Sequence, residues 1–264
     1  MAINTKIIRY ICSIGVLLIA FNCSATVILE RYKNTSEVTI TIDHQIIEED
    51  LIEFKNALAT IETEKKVLHM NSVQLNSRGG SGAVGRKIGY FIKNKGLYTF
   101  VGPKSKCNSA CVFILMGGVV RYAFGEIGVH RSTFTADDKV DDDKTEEYVR
   151  GDNKVTKAYA EMMDITNPLL DAMLNTESWR IRLITEKEKR EWQVMGTDRV
   201  YEERLFTSIA NELKIPRNDY IQIFSTNYED CLEDAKKFER TAYECAKTKK
   251  VKINYWKVLK LLIN

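Results

Sequence analysis

The sequence contains, in three short segments, the groups that acyl-transfer chemistry requires. Ser109 starts an apolar run typical of a helix, the glycine pair Gly79-Gly80 precedes it, and His130 follows it. A serine hydroxyl needs a base that removes its proton, and the tetrahedral oxyanion that forms needs fixed N–H donors. The three segments together therefore predict a nucleophile, a base and an oxyanion site.

Three histidines are candidates for the base, namely His44, His69 and His130. His130 ends a predicted short strand, where α/β folds commonly place functional groups. We assign structural roles to His44, at a strand end, and to His69, inside a predicted strand. His130 is thus the predicted general base, because the ordinary pKa of histidine lies near ambient pH.

The predicted oxyanion donors are backbone N–H groups. Glycine lets a substrate approach the backbone of Gly79-Gly80 closely, and the N–H of Ala110 follows the serine directly. Ser109 alone is weak evidence, because a serine at the start of an apolar helix also serves as an N-cap. The prediction therefore depends on the combination and its order.

The hydrophobic pattern predicts an α/β fold, in which strands alternate with crossover helices. The predicted strands cover residues 38–42, 67–75, 97–101, 119–124, 127–130 and 199–201. The predicted helices cover residues 48–61, 84–92, 109–116, 146–163, 168–174 and 185–192. Thr185 and Glu188 form a capping box for the last of these helices.

The N-terminus resembles a secretory signal peptide. Lys6 and Arg9 precede the apolar run 11–21, and Cys23-Ser24-Ala25 supplies small residues for cleavage. The run is shorter than the about 20 residues of a membrane span. We therefore expect residues 1–25 to be a cleaved signal and the mature protein to be periplasmic. An uncleaved N-terminal membrane anchor is the alternative.

Charge argues against nucleic acid as a partner. The formal net charge is +3, and it falls to +1 when Lys6 and Arg9 leave with the signal. A nearly neutral chain lacks the excess of positive charge that attracts the phosphate backbone of a nucleic acid.

Four cysteines remain after residue 25, grouped two and two: Cys107, Cys111, Cys231 and Cys245. In an exported protein this grouping predicts disulfides Cys107–Cys111 and Cys231–Cys245, with four buried thiols as the alternative.

A CxxxC pair without further nearby ligands is poor evidence for zinc. The acidic stretch 136–144 lacks EF-hand spacing and is assigned to an exposed loop. We therefore predict neither a metal nor a cofactor.

Composition changes near residue 204, since glycine is absent after Gly196 and charged residues alternate with aromatic ones. We expect residues 26–203 to form the α/β domain and residues 204–264 to form a helical appendage. For the apolar tail 255–263 we consider three roles: packing on the core, contact with a partner, and contact with a membrane surface.

Several motifs resemble the Clp protease proteolytic subunit and the exported Clp-protease-like proteins of bacteria. The segment 75–80 is similar to the Asn-Ser-Pro-Gly-Gly turn of that family, Ser109-Ala110 to its nucleophile segment, and Val129-His130 to its Ile-His pair. The exported relatives have Cys-x-Ser-Ala-Cys before an apolar helix and then a Gly-Gly-x-Arg-like turn, which Gly117-Gly118 and Arg121 resemble. The resemblance covers roughly residues 36–200.

The resemblance implies a Clp-protease/crotonase-like spiral of ββα units. It further implies that Ser109 is the nucleophile and His130 the general base, with Gly80 and Ala110 as oxyanion donors. The implied substrate is a peptide or protein. The implied assembly is a homo-oligomer, formed through the helix that follows the histidine region.

Two positions depart from the family pattern. The family places a catalytic aspartate shortly before a stretch that resembles 182–185 here, but residues 179–181 contain no aspartate. Glu177 and Asp171 are the nearest carboxylates. We therefore expect the site to work as a Ser–His dyad, to form a triad with one of these two carboxylates, or to have weak activity. Arg78 replaces the usual proline and places a positive charge at the mouth of the site.

Three functions follow from this pattern. The first is an exported serine hydrolase of the peptidase class. The second is a catalytically weak or inactive binding or scaffold protein of the cell envelope, favoured by the missing aspartate. The third is a crotonase-type acyl-CoA enzyme, which export from the cytoplasm disfavours.

Overall fold

The computed structural model describes residues 27–31, 38–63, 72–132 and 142–234. The strands are β1 (Val27–Arg31), β2 (Val38–Ile46), β3 (Ser72–Gly80), β4 (Tyr98–Val101), β5 (Lys106–Asn108), β6 (Val120–Ala123), β7 (Glu126–Val129), β8 (Arg182–Leu183) and β9 (Gly196–Thr197). The helices are α1 (Glu48–Thr63), α2 (Gly82–Asn94), α3 (Ala110–Met116), α4 (Asp142–Met163), α5 (Asn167–Asn175), α6 (Glu186–Glu191), α7 (Arg199–Glu212) and α8 (Arg217–Asp234). The chain forms two compact units, which meet in sequence between Asp198 and Arg199.

Strand β3 is the branching point of the sheet. One of its edges pairs with β2, and the other pairs first with β4, where Ser72 opposes Tyr98, and then with β5, where Ser77 opposes Cys107. Because β4 and β5 use successive stretches of one edge, the sheet divides into a branch β4–β6–β9 and a branch β5–β7–β8.

Parallel pairing dominates the sheet, as the predicted α/β class requires. All pairs among β2 to β7 are parallel, and β1, β8 and β9 pair antiparallel at the periphery. The order β4-β5-α3 and then β6-β7-α4 repeats the ββα unit. The predicted fold class is confirmed.

Helix α3 lies at the centre of the core, and α2 packs very closely against it. All seven residues of α3 are buried, as expected of a helix that is apolar on every side. A Cβ built on Gly85 would lie 2.5 Å from the carbonyl oxygen of Ala110, and one on Gly89 would lie 2.6 Å from that of Phe113. The two backbones therefore approach at a distance that only glycine permits.

Several boundaries differ from the prediction. Residues 199–201 are not a strand but the start of α7, because Phe206 and Ala210 at helical spacing bury one side of that helix. Strand β5 was not predicted, since three residues carry no periodicity. The capping box at α6 is confirmed: Thr185 Oγ1 accepts from the Glu188 N–H at 3.2 Å, and Glu188 Oε2 accepts from the Thr185 N–H at 2.9 Å.

The second unit contains α7 and α8, which pack through Phe206, Tyr220 and Phe224.

Several predictions fall on residues that the structure does not describe. Cys231 lies in α8, but Cys245 lies outside the described residues, as do the predicted signal 1–25, His69 and the tail 255–263. Among the described helices, none combines the length and apolarity that a membrane crossing requires.

Asp50 is a fully buried carboxyl group in the first turn of α1. One of its oxygens accepts from the Ile47 N–H at 2.8 Å. Burial raises its pKa from 3.8 to about 6, because the charged form is poorly solvated. The folded state therefore holds this proton more tightly than the unfolded state, and stability is lost as pH rises from 3.8 through about 6.

We expect Asp50→Asn to raise the free energy of unfolding by up to about 3 kcal/mol above pH 6 and by nothing below about pH 4. The asparagine oxygen can still accept from Ile47. Urea titrations across this pH range measure the effect, with Glu161→Gln, at an exposed carboxylate of α4, as control. A gain that does not change with pH would contradict the assignment.

Candidate active site

Ser109 lies between β5 and α3 in a backbone conformation that is unusual for a residue with a side chain. Its φ is 55° and its ψ is −123°, whereas φ is negative in nearly all residues other than glycine. Its N–H donates to the Gly128 carbonyl at 2.8 Å. In the part of the chain that the structure describes, the hydroxyl makes no capping hydrogen bond. Within the described residues, Ser109 therefore precedes α3 without capping it through its side chain.

A disulfide encloses Ser109. The Sγ atoms of Cys107 and Cys111 are bonded, and the two Cα atoms lie 5.1 Å apart. Cys107 belongs to β5 and Cys111 to α3, and both are fully buried. The predicted bridge therefore ties the end of β5 to the first turn of α3 and fixes the turn between them.

His130 follows β7 directly and is half-buried. Strands β5 and β7 are parallel, and Asn108 pairs with Gly128. Ser109 and His130 therefore follow the ends of two neighbouring strands at the same edge of the sheet.

The ring of His130 is held by the backbone. Its Nδ1 lies 2.8 Å from the carbonyl oxygen of Arg131. A carbonyl can only accept, so Nδ1 carries the hydrogen and Nε2 keeps its lone pair. This is the tautomer that a general base requires.

The predicted third members lie on the surface. Asp171, in α5, and Glu177, after it, are both exposed. The Arg131 N–H donates to the Thr176 carbonyl at 2.9 Å, which places the segment of Glu177 beside the histidine segment. Across the described ranges, no carboxylate forms a hydrogen bond with His130. The role of either acid stays a prediction.

The glycine pair contacts the nucleophile segment. A Cβ on Gly79, whose φ is +105°, would lie 2.6 Å from Ser109 Cβ and 3.2 Å from the Ala110 nitrogen. The Gly79 N–H donates to Ser77 Oγ at 3.1 Å, whereas Ser81 donates to the Ile46 carbonyl at 2.9 Å. Gly80 also has a positive φ, of +142°. Its role as oxyanion donor, like that of Ala110, stays a prediction.

A buried polar network supports the segment after His130, and sequence reasoning missed it. Arg86 Nη2, from α2, lies 2.6 Å from Asp152 Oδ1, from α4, and the other Asp152 oxygen accepts from Ser132. Arg86 also lies 5.1 Å from the ring centre of Phe113. The two charged partners are 66 residues apart, so no local pattern could have linked them.

Arg121, which fitted the family pattern, has a structural role. It is buried, and its Nη1 donates to the Gly118 carbonyl at 3.0 Å and its Nε to the Gln193 carbonyl at 3.1 Å. Burial lowers the pKa of its guanidinium. Arg121 thus joins the turn after α3 to the turn after α6.

A cavity of about 540 Å³ opens beside the glycine pair. Its walls come from the ends of β2 and β3 and from the start of β5, and they include Arg78 and Lys106. The positive charge predicted at the mouth of the site is therefore part of this cavity. In the described ranges, no group of three or more histidine, cysteine or acidic side chains has a metal-binding arrangement.

No protein-family model and no curated protein sequence matches this chain. Among solved structures, the chain is similar to ClpP1 from Listeria monocytogenes, with 15% identity and a TM-score of 0.45 over 60% of this chain and 88% of that one. A mutant of the same protein gives a TM-score of 0.46 at 15% identity, over 60% and 88% of the two chains. A mutant of a membrane-bound stomatin-specific protease gives 0.45 at 15% identity, over 59% and 75%.

Proposed function

We propose that this protein is a serine hydrolase of the peptidase class, in which Ser109 is the nucleophile and His130 the general base. The observation that carries the proposal is the conformation of Ser109: its positive φ holds an uncommitted hydroxyl at the strand edge where His130 also lies. Sparsely populated backbone conformations cost about 1–3 kcal/mol and concentrate at functional sites.

The proposed reaction proceeds through an acyl-enzyme. Ser109 Oγ bonds to the carbonyl carbon of the substrate while its proton passes to Nε2 of His130. The carbonyl electron pair becomes an oxyanion, which the N–H groups of Gly80 and Ala110 stabilise. The leaving amine then departs with the proton from His130. Water then gives a proton to the same nitrogen and bonds to the acyl carbon. The ester bond to Ser109 Oγ breaks, and the proton passes from His130 to Oγ, which restores Ser109.

The Arg131 carbonyl takes the orienting role of the missing aspartate in this scheme. A carbonyl that accepts a hydrogen bond from Nδ1–H selects the tautomer with a lone pair on Nε2 and fixes the orientation of the ring. The acid of a catalytic triad has the same two effects. A neutral carbonyl stabilises the imidazolium less than a carboxylate does. We therefore expect a slower enzyme than a full triad would give.

Labelling by a fluorophosphonate tests the proposal. Wild-type protein is expected to be labelled, Ser109→Ala not at all, and His130→Ala at a rate lower by about 10³-fold or more. Ser208→Ala, in the exposed part of α7, serves as the matched serine control and should react like wild type. A folded wild-type protein that stays unlabelled would contradict the proposal.

A binding or scaffold protein is the second candidate, favoured because no carboxylate contacts His130 in the described part of the chain. Its signature is a partner from envelope extract that wild type and Ser109→Ala retain equally, together with no labelling of wild type.

We also propose that the mature protein is periplasmic and homo-oligomeric. The basic and apolar N-terminal segments support export, and the Cys107–Cys111 disulfide fits an oxidising compartment. Val155 and Met162, which lie on one side of α4, are exposed and support assembly through that helix. N-terminal sequencing of envelope fractions and light scattering test the two points.

A further inference from the structure

The cavity beside Gly79-Gly80 has features that select a particular chemical group. The cavity adjoins the nucleophile segment, because Gly79 lines the cavity and a Cβ built on Gly79 would lie 2.6 Å from Ser109 Cβ. On the proposed function, a substrate whose carbonyl lies at Ser109 would have a neighbouring group within reach of this cavity.

Sheet register places two cations on one side of that cavity. Ser77 and Cys107 oppose each other in β3 and β5, and both are buried. The adjacent residues Arg78 and Lys106 point to the opposite face, since side chains alternate along a strand. Both line the cavity, and Lys106 is held there because its N–H donates to Asn76 Oδ1 at 3.1 Å.

The one carboxylate in the cavity does not neutralise these cations. Asp43 Oδ1 accepts from the His44 N–H at 2.8 Å and from Asn76 Nδ2 at 3.0 Å. Within the ranges that the structure describes, neither Arg78 nor Lys106 forms an ion pair. Two uncompensated cations around one satisfied carboxylate leave the cavity with an excess of positive charge and with free N–H donors.

The cavity is also preorganised. Ser77 Oγ donates to the His44 carbonyl and accepts from the Gly79 N–H, which joins the ends of β2 and β3. A ligand that binds there pays little for ordering these strand ends.

We infer that this cavity binds a carboxylate of the substrate, so that the enzyme prefers peptides with an acidic side chain next to the bond that it cleaves. Arg78 supplies bidentate hydrogen bonds and Lys106 a point charge, the two ways in which cationic side chains recognise a carboxylate. The inference rests on the proposed function for the position of the scissile bond, but binding in the cavity can be measured without catalysis.

The test uses the full Ser109→Ala protein and two fluorescein-labelled peptides, Ala-Ala-Glu-Ala-Ala and Ala-Ala-Gln-Ala-Ala. Their central side chains have the same shape and differ in charge. Fluorescence anisotropy at low salt is expected to give about 10-fold tighter binding of the Glu peptide. This preference should shrink as salt rises.

Variants of Arg78 and Lys106 test whether these two cations cause the preference for the Glu peptide. In a protein that also carries Arg78→Gln and Lys106→Gln, the preference for the Glu peptide should fall below about 2-fold. Lys104→Gln makes the same charge change per site at an exposed cation outside the cavity and should keep the preference. If the double variant fails to fold, Arg78→Gln alone decides, because that side chain is exposed.

Equal binding of the two peptides, no measurable binding of the Glu peptide, or a preference that survives the double variant would overturn the inference. Fluorophosphonate labelling without a Glu preference leaves the hydrolase and removes the acidic specificity. A Glu preference without labelling leaves the carboxylate site and removes the hydrolase.

Discussion

Gly89→Ala is expected to lower the free energy of unfolding by about 3 kcal/mol, since overpacking at a rigid contact costs this much. The added Cβ would lie 2.6 Å from the Phe113 carbonyl oxygen and would also meet the hydroxyl of Tyr159. That hydroxyl donates to the same carbonyl at 2.7 Å. Burial raises the pKa of Tyr159 well above its usual value, so it remains a donor. The substitution therefore pushes α2 from α3 and disturbs a buried hydrogen bond.

Gly151→Ala is the matched control, because Gly151 lies in α4 and a Cβ there would meet nothing within 4 Å. We expect it to raise the free energy of unfolding by about 0.5–1 kcal/mol, the ordinary difference in helix propensity. Chemical denaturation of both variants measures the contrast. Similar effects of the two substitutions would show that α2 and α3 do not pack as described.

Gly79→Ala is expected to lower the rate of fluorophosphonate labelling by about 100-fold, because displacement of a catalytic group by about 1 Å has this effect. The new Cβ would lie 2.6 Å from Ser109 Cβ and 2.8 Å from the Asn108 carbonyl oxygen. The nucleophile must move if Gly79 acquires a side chain.

Gly196→Ala separates this displacement from backbone strain. Gly196 has a φ of +130° and no atom within 4 Å of a built Cβ, so its substitution has the strain of a positive φ without the contact. Labelling of this variant should match wild type, while its melting temperature falls. If Gly79→Ala reacts as fast as Gly196→Ala, the contact between Gly79 and Ser109 does not control the nucleophile.

Features that depend on neighbouring residues could be predicted from the sequence. The apolar run after Ser109 predicted α3, and the spacing of Thr185 and Glu188 predicted a cap. Each of these is a local relation in which the residue type determines the conformation.

Features that depend on distant residues could not be predicted. The ion pair of Arg86 and Asp152 forms only because α2 and α4 lie together in the fold, and β5 is a strand only because β3 and β7 accept it as a partner. The prediction of a strand at 199–201 failed for the same reason, since packing of Phe206 outweighed the β-propensity of Val200 and Tyr201.

The branching of β3 places the candidate site on short strands. The nine-residue strands β2 and β3 share a long ladder, whereas the branch that carries Ser109 and His130 consists of strands of three, four and two residues. Short ladders open at a lower free energy than long ones, so amide hydrogens around the site exchange before those of the main sheet. The Cys107–Cys111 disulfide limits this opening, and a ligand bound at the site would order the same branch further.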